Sequence, residues 1–235
     1  MIKINFSKIK KEIWFAKKIY NYFDNILLTE YKQSFIKHVL FKNEEFTTLW
    51  IDLEQSLDAI KKNFNKNYKN EINKAIRLNI YGEIETNNEN FLILFNKFAK
   101  RKKLSLLNKK MFSYYEPYLV ITKAVLNQKS LVMHAYLVDE DIKIVRLLYS
   151  ANSFESEDAK IIGYANKYLH FYDMKFFKEK GFKIYDFGGI NLHSTDKEIL
   201  GINRFKKGFG GKEVRLYNLT SYPLYFLRAM KKCMY

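Results

Sequence analysis

The 235 residues carry 41 Lys or Arg against 25 Asp or Glu, a formal charge of +16, with 48% apolar and 17% aromatic side chains. That apolar content excludes a disordered or low-complexity chain and is enough for a substantial core. The single cysteine, Cys233, excludes an internal disulfide framework and a cysteine-based metal site, and no apolar run reaches the ~18 residues expected of a membrane span.

Taken in order, residues 8–23 place Ile9, Ile13, Ala16, Tyr20 and Phe23 at helical spacing, which predicts an amphipathic helix. Extended runs near 34–41 and 46–53 follow, with a turn expected at Asn43-Glu44. Leu57, Ile60, Phe64, Tyr68, Ile72 and Ala75 predict a helix over 55–78 that stops at Asn79. A short strand over 80–85 precedes a helix over 88–103, whose terminal Lys100-Arg101-Lys102-Lys103 suits the negative end of a helix dipole. Three β-rich runs, 118–127, 130–138 and 142–150, have short polar turns and predict an antiparallel meander. A helix over 159–180 then leads into the strand ending at Asp186, the pattern of a β-α-β crossover. A last strand at 214–219 and a C-terminal helix over 222–235 complete a mixed α/β chain.

Residues 1–45 are expected as an extension packed on a domain formed by 46–235. With no secretory leader pattern after Met1, a soluble protein of the reducing cytoplasm is expected. The aromatic, basic segment 222–235 also suits peripheral contact with the inner face of a membrane, although docking onto the domain is the simpler role. Charge is concentrated: residues 61–110 hold thirteen Lys or Arg and four Glu. Such a field attracts polyanions or phosphorylated ligands, while solvation of lysine-rich helix faces explains it without any ligand.

Seven of the nine glycines fall between Gly181 and Gly211. Gly188 and Gly189 end the strand Phe182–Phe187, and Phe205-Lys206-Lys207-Gly208-Phe209-Gly210-Gly211 sets a lysine pair among aromatics and glycines in what reads as a turn before the last strand. These two segments, with Tyr149-Ser150-Ala151-Asn152 and Ala165-Asn166-Lys167-Tyr168-Leu169-His170, resemble the FemAB-like branch of the GNAT superfamily, which includes peptidoglycan cross-bridge aminoacyltransferases. A weaker match covers residues 50–103. The resemblance implies a GNAT-like fold, a central mixed sheet with helices on both faces, and a single-domain acyltransferase.

In that family the lysine of the Phe-Lys-x-x-Phe-Gly motif lies near the reacting acyl group, which points to Lys206 as a catalytic residue. A fixed cation there stabilises the oxyanion formed when an amine attacks a carbonyl. Asp186, at the end of a buried strand, either takes a proton from the amine or caps the following turn. Asn166, His170 and Asp173 recur at i, i+4 and i+7, one helix face that could orient an acceptor, with His170 as a candidate base against the simpler role of a packed histidine. Tyr149, Asn166, Gly188, Gly189 and Phe205 complete the expected substrate-binding set.

Lys160-Ile161-Ile162-Gly163-Tyr164-Ala165 resembles the pyrophosphate loop of CoA-dependent acetyltransferases, which makes Lys160 and Gly163 the expected cofactor contacts and acyl-CoA or acetyl-CoA the expected co-substrate. His38, His134 and His193 have no carboxylate or thiol at ligand spacing, so no metal site is expected. The expected reaction is transfer of an acyl group from acyl-CoA to an amine of a cell-envelope precursor, such as an amino sugar, a sugar nucleotide or a peptidoglycan precursor. One alternative takes aminoacyl-tRNA as donor. Another keeps the fold as a nucleic-acid-binding module without chemistry.

Overall fold

The computed structural model describes residues 1–153 and 159–233; the last two residues of the predicted C-terminal helix lie outside the described residues. The chain opens with β1 (Ile2–Asn5), β2 (Lys10–Trp14), β3 (Leu28–Ser34) and β4 (Phe41–Asp52). Helices α1 (Leu57–Lys62) and α2 (Lys66–Arg77) lead to β5 (Tyr81–Glu85), then α3 (Asn88–Arg101) and the short α4 (Lys109–Ser113). The meander β6 (Leu119–Leu126), β7 (Lys129–Asp139) and β8 (Ile144–Asn152) follows as predicted. Next come α5 (Ala159–Glu179), β9 (Ile184–Gly189), α6 (Lys197–Lys207), β10 (Lys212–Ser221) and α7 (Tyr222–Cys233). Two compact units emerge: residues 1–48 with the chain from Glu213 onward, and residues 49–212. The segment from Glu213, expected within the acyltransferase domain, thus clusters with the N-terminal residues.

The N-terminal unit departs most from sequence periodicity. Where a helix over 8–23 is predicted, residues 10–14 form β2, antiparallel to β1 and parallel to β3. The supposed buried stripe is half or more exposed at Ile9 (55%) and Phe23 (70%), whereas Lys11 is buried. Lys11 donates to Asp24, and the Tyr31 hydroxyl donates to the same carboxylate at 2.6 Å. A buried lysine needs such a partner, and helical spacing cannot foresee one thirteen residues away. The expected turn at Asn43-Glu44 lies inside β4, yet Asn43 still shapes the real turn over 35–40. Its side-chain oxygen accepts from His38 N and its amide donates to His38 O, both at 2.9 Å.

In the second unit the predicted helix over 55–78 is two helices. Ser56 caps α1 and Asn65 caps α2, each side chain accepting a backbone N–H three residues on. Asn65 N also donates to Gly208 O at 2.9 Å, which fixes the break against the end of α6. Asn79 stops α2 as expected, in the left-handed region at φ 59°.

The strands of this unit run β4-β9-β8-β7-β6-β5. Side-chain alternation puts helices on both faces. Met133 and Ala135 of β7 join Phe91, Phe95 and Phe112 of α3 and α4, while Val132 packs with Ala165 and Leu169 of α5 and Ala75 of α2. The β5–β8 pairings are antiparallel, but β8 and β9 are parallel, the consequence of the α5 crossover. Their pairing covers Ile144↔Ile184, Val145↔Tyr185 and Arg146↔Asp186 and goes no further, although both strands continue. The gap beyond that last pair positions the site.

Candidate active site between β8 and β9

A cleft of about 590 Å³ lies where β8 and β9 part. Leu147, Ser150 and Asn152 of β8, Phe187 of β9, Asn166 and His170 of α5, and Phe205 and Lys206 of α6 line it. Lys102, just past the end of α3, and Glu198 of α6, also on its wall, form an ion pair at 3.6 Å. Asn152 Oδ1 is buried and accepts no hydrogen bond among the described residues.

Lys206 is not in a turn, as its glycine-rich setting predicts, but in the last turn of α6. Its ammonium donates to Gly189 O at 2.7 Å. Burial, reinforced by the Arg146 guanidinium and opposed by Asp186, pulls its pKa down to about 8. The cation is therefore fixed at the cleft wall and retained at neutral pH.

Gly188 and Gly189 make this approach feasible. Gly188 has φ +75°, and a Cβ there would lie 3.3 Å from Leu147 O. Asp186, fully buried, accepts from Gly188 N at 2.7 Å, so its carboxylate caps the turn; of the two roles expected for it, the geometry supports the structural one.

Behind the cleft sits a buried polar cluster. His170 Nδ1 is 2.6 Å from the Tyr185 hydroxyl, which is 2.7 Å from the Tyr136 hydroxyl, which donates to Asp173 Oδ2 at 2.5 Å. His134 Nδ1 meets the same Asp173 oxygen at 2.8 Å, and its Nε2 lies 3.0 Å from the Asn166 side-chain oxygen. Burial pushes His170 well below the ordinary histidine pKa, and His134, Lys206 and Lys167 add to the shift, so its ring is neutral at neutral pH. Burial and the charge of Asp173 push Tyr136 and Tyr185 well above the usual tyrosine range.

His134, missed as a site residue because its carboxylate is 39 residues away, has both Asp173 and His170 beside it. The ligand-type atoms of these three residues lie within 4.8 Å of one another, so the expectation that His134 has no matching carboxylate is corrected. His170 Nδ1, Asp173 Oδ2 and both His134 nitrogens are already engaged in the hydrogen bonds described.

Of the residues expected at the site, Lys206, His170, Asn166 and Phe205 line the cleft, and Asp186, Gly188 and Gly189 shape its β9 wall. Tyr149 does not join them. Strand alternation turns it to the opposite face of the sheet, where it packs edge-on against Phe95 at 5.2 Å. Lys160 lies in the first turn of α5, and Gly163 stands in helical conformation with its carbonyl accepting from Lys167 at 3.4 Å; neither is among the lining residues.

No family model matches the chain, and no curated protein does. Solved structures match in fold. The C-terminal domain of a protein described as a lysylphosphatidylglycerol synthetase, from Agrobacterium fabrum, superposes with a TM-score of 0.64 at 10% identity, covering 98% of this chain and 84% of that one. L-PGS from Bacillus licheniformis gives 0.59 at 12% identity, over 88% and 73%. FemX gives 0.58 at 15% identity, over 77% of this chain and 63% of its own length. The chain shares the fold of FemX and L-PGS, a mixed sheet flanked by helices, as the FemAB-like resemblance implies.

Proposed function

We propose that this protein is an acyltransferase that moves an acyl group from an activated thioester or ester to an amine, with the acceptor drawn from cell-envelope precursors such as an amino sugar, a sugar nucleotide or a peptidoglycan stem peptide. The observation that carries this reading is Lys206, pinned on Gly189 O at the wall of a cleft and still protonated at neutral pH. The amine nitrogen attacks the acyl carbonyl, the C–N bond forms, and the negative charge gathers on the former carbonyl oxygen. Lys206 stabilises that oxygen, an interaction stronger in the transition state than in the ground state. Collapse breaks the bond to sulfur or oxygen. The proton lost by the amine passes to the neutral ring of His170 and returns to the departing thiolate or alkoxide.

A second reading concerns the donor: an aminoacyl ester carried on tRNA rather than an acyl-CoA. A further cleft, of about 630 Å³, is lined by Lys97, Arg101 and Lys129 and shares Phe98 and Asn152 with the first, so an anionic carrier could lie there with its acyl end at Lys206.

The test is thermal stabilisation by acyl-CoAs and by charged and uncharged tRNA, followed by mass-spectrometric detection of amide products on an amine panel. Stabilisation by thioesters alone removes the tRNA reading. Stabilisation by nucleic acid with no acyl transfer to any amine overturns both and leaves a binding module.

A further inference from the structure

The hydrogen-bond chain behind His170 has a direction, and the direction selects a tautomer. Tyr136 has one proton and gives it to Asp173 Oδ2 at 2.5 Å rather than to His134 Nδ1, which lies 3.0 Å from the same hydroxyl and itself faces the carboxylate, so towards Tyr185 its oxygen accepts. Tyr185 thereby spends its own proton on Tyr136 and can only accept from the His170 ring. The 2.6 Å contact at Nδ1 must then be an Nδ1–H donation, and the neutral ring is left with a lone pair on Nε2. His170 lines the cleft, and with Nδ1 held from behind, Nε2 is the nitrogen free to meet a ligand.

We propose that Tyr185, Tyr136 and Asp173 are positioning residues that hold His170 as its Nδ1–H tautomer, so that Nε2 takes the proton of the attacking amine and returns it to the leaving group. The catalytic half of this statement rests on the acyltransferase reading above; the positioning half does not. Asp173 belongs to the chain because its carboxylate sets the polarity of every bond outward to the cleft. His134, at 2.8 Å from Asp173 Oδ2 and 4.2 Å from the His170 ring centroid, braces the carboxylate and packs the imidazole.

The polarity makes two neighbouring hydroxyl deletions differ in kind. Tyr185→Phe removes the acceptor, so Nδ1–H loses its partner and the ring samples both tautomers. Tyr136→Phe leaves Tyr185 in place but takes away the oxygen that receives its proton. Tyr185 then donates to Nδ1, and the ring proton moves to Nε2, the wrong nitrogen for a base.

The experiment is long-range ¹H–¹⁵N correlation on histidine-labelled protein, with His170 assigned by His170→Gln and folding of each variant checked by its backbone amide spectrum. The expected result is Nδ1–H in the wild type, a tautomer mixture in Tyr185→Phe and Nε2–H in Tyr136→Phe. An Nε2–H wild type, or a tautomer unmoved by both substitutions, overturns the proposal. Turnover supplies the second readout. Both Tyr→Phe variants and His170→Gln are expected to lose on the order of 10²-fold or more in kcat with KM little changed. Full turnover in His170→Gln overturns the catalytic half even where the tautomers follow the prediction. The predicted tautomers in a protein that acylates no amine keep the positioning chain and reject the proposed function.

Discussion

Lys206→Met separates the requirements of the fold from those of the site. Folding brings a lysine from the ordinary 10.5 to about 8. At ~1.4 kcal/mol per tenfold change, this costs the folded state about 3 kcal/mol at neutral pH. Methionine fills nearly the same volume without a charge but forfeits the bond to Gly189 O, worth about 1 kcal/mol, and solvent at the cleft screens part of the remainder. The substitution should therefore stabilise the protein by about 1–2 kcal/mol at pH 7.

The pH dependence has a definite sign. Between about 8 and 10.5 the unfolded chain keeps the lysine proton and the folded protein has released it, so wild-type stability rises with pH in that window. The advantage of methionine is full below pH 8 and fades towards 10.5. Urea unfolding of both proteins, followed by tryptophan fluorescence at pH 7 and pH 10, measures the difference while the titrations common to both cancel. A variant less stable than wild type at pH 7, or a gap unchanged at pH 10, refutes the reasoning. Acyl transfer by the same variant should fall by about 10²–10³-fold.

Because the cation is the active form, the alkaline limb of the rate profile should lie near pH 8. Asp186→Asn removes a charge that supports protonation and moves that limb to lower pH; Arg146→Met removes one that opposes it and moves the limb upward; shifts in the same direction would contradict the assignment. Gly208→Ala puts a Cβ 2.5 Å from the Tyr68 ring and should cost about 1–3 kcal/mol in chemical denaturation, with part of the loss recovered in a double variant that also carries Tyr68→Ala. Gly188→Ala, at φ +75° and 3.3 Å from Leu147 O, should cost ~1–2 kcal/mol and lower kcat by displacing the carbonyl that holds Lys206, a change visible as an altered Lys206 pKa in the rate profile.

The second unit was readable because its elements obey local rules. The β6–β8 meander has polar turns, α5 has an uninterrupted apolar face, and Asn79 stops α2. A motif singles out Lys206 and the glycine pair, and helical spacing singles out His170 with Asn166. What stayed hidden depends on distant partners. Lys11 looks like the solvated face of a helix until Asp24 is placed beside it. His134 looks isolated until the sheet brings it to α5, and nothing local shows that the Tyr136 and Tyr185 hydroxyls meet. Tyr149 misleads in the opposite sense. It stands next to cleft-lining Ser150 in sequence, and pleating sends neighbours to opposite faces.

The cluster behind the cleft also bears on how this protein should fail when heated. His134, Tyr136, Asp173 and Tyr185 are fully buried and His170 is 1% exposed, so the proton-handling groups are part of the interior that holds residues 49–212 together. A site assembled on surface loops can lose its order while the scaffold persists, and activity then decays before any unfolding is visible. Here the interior must open before the tautomer chain can break. Inactivation and cooperative melting should accordingly be one event, with the amides flanking these residues among the slowest in the molecule to exchange with solvent.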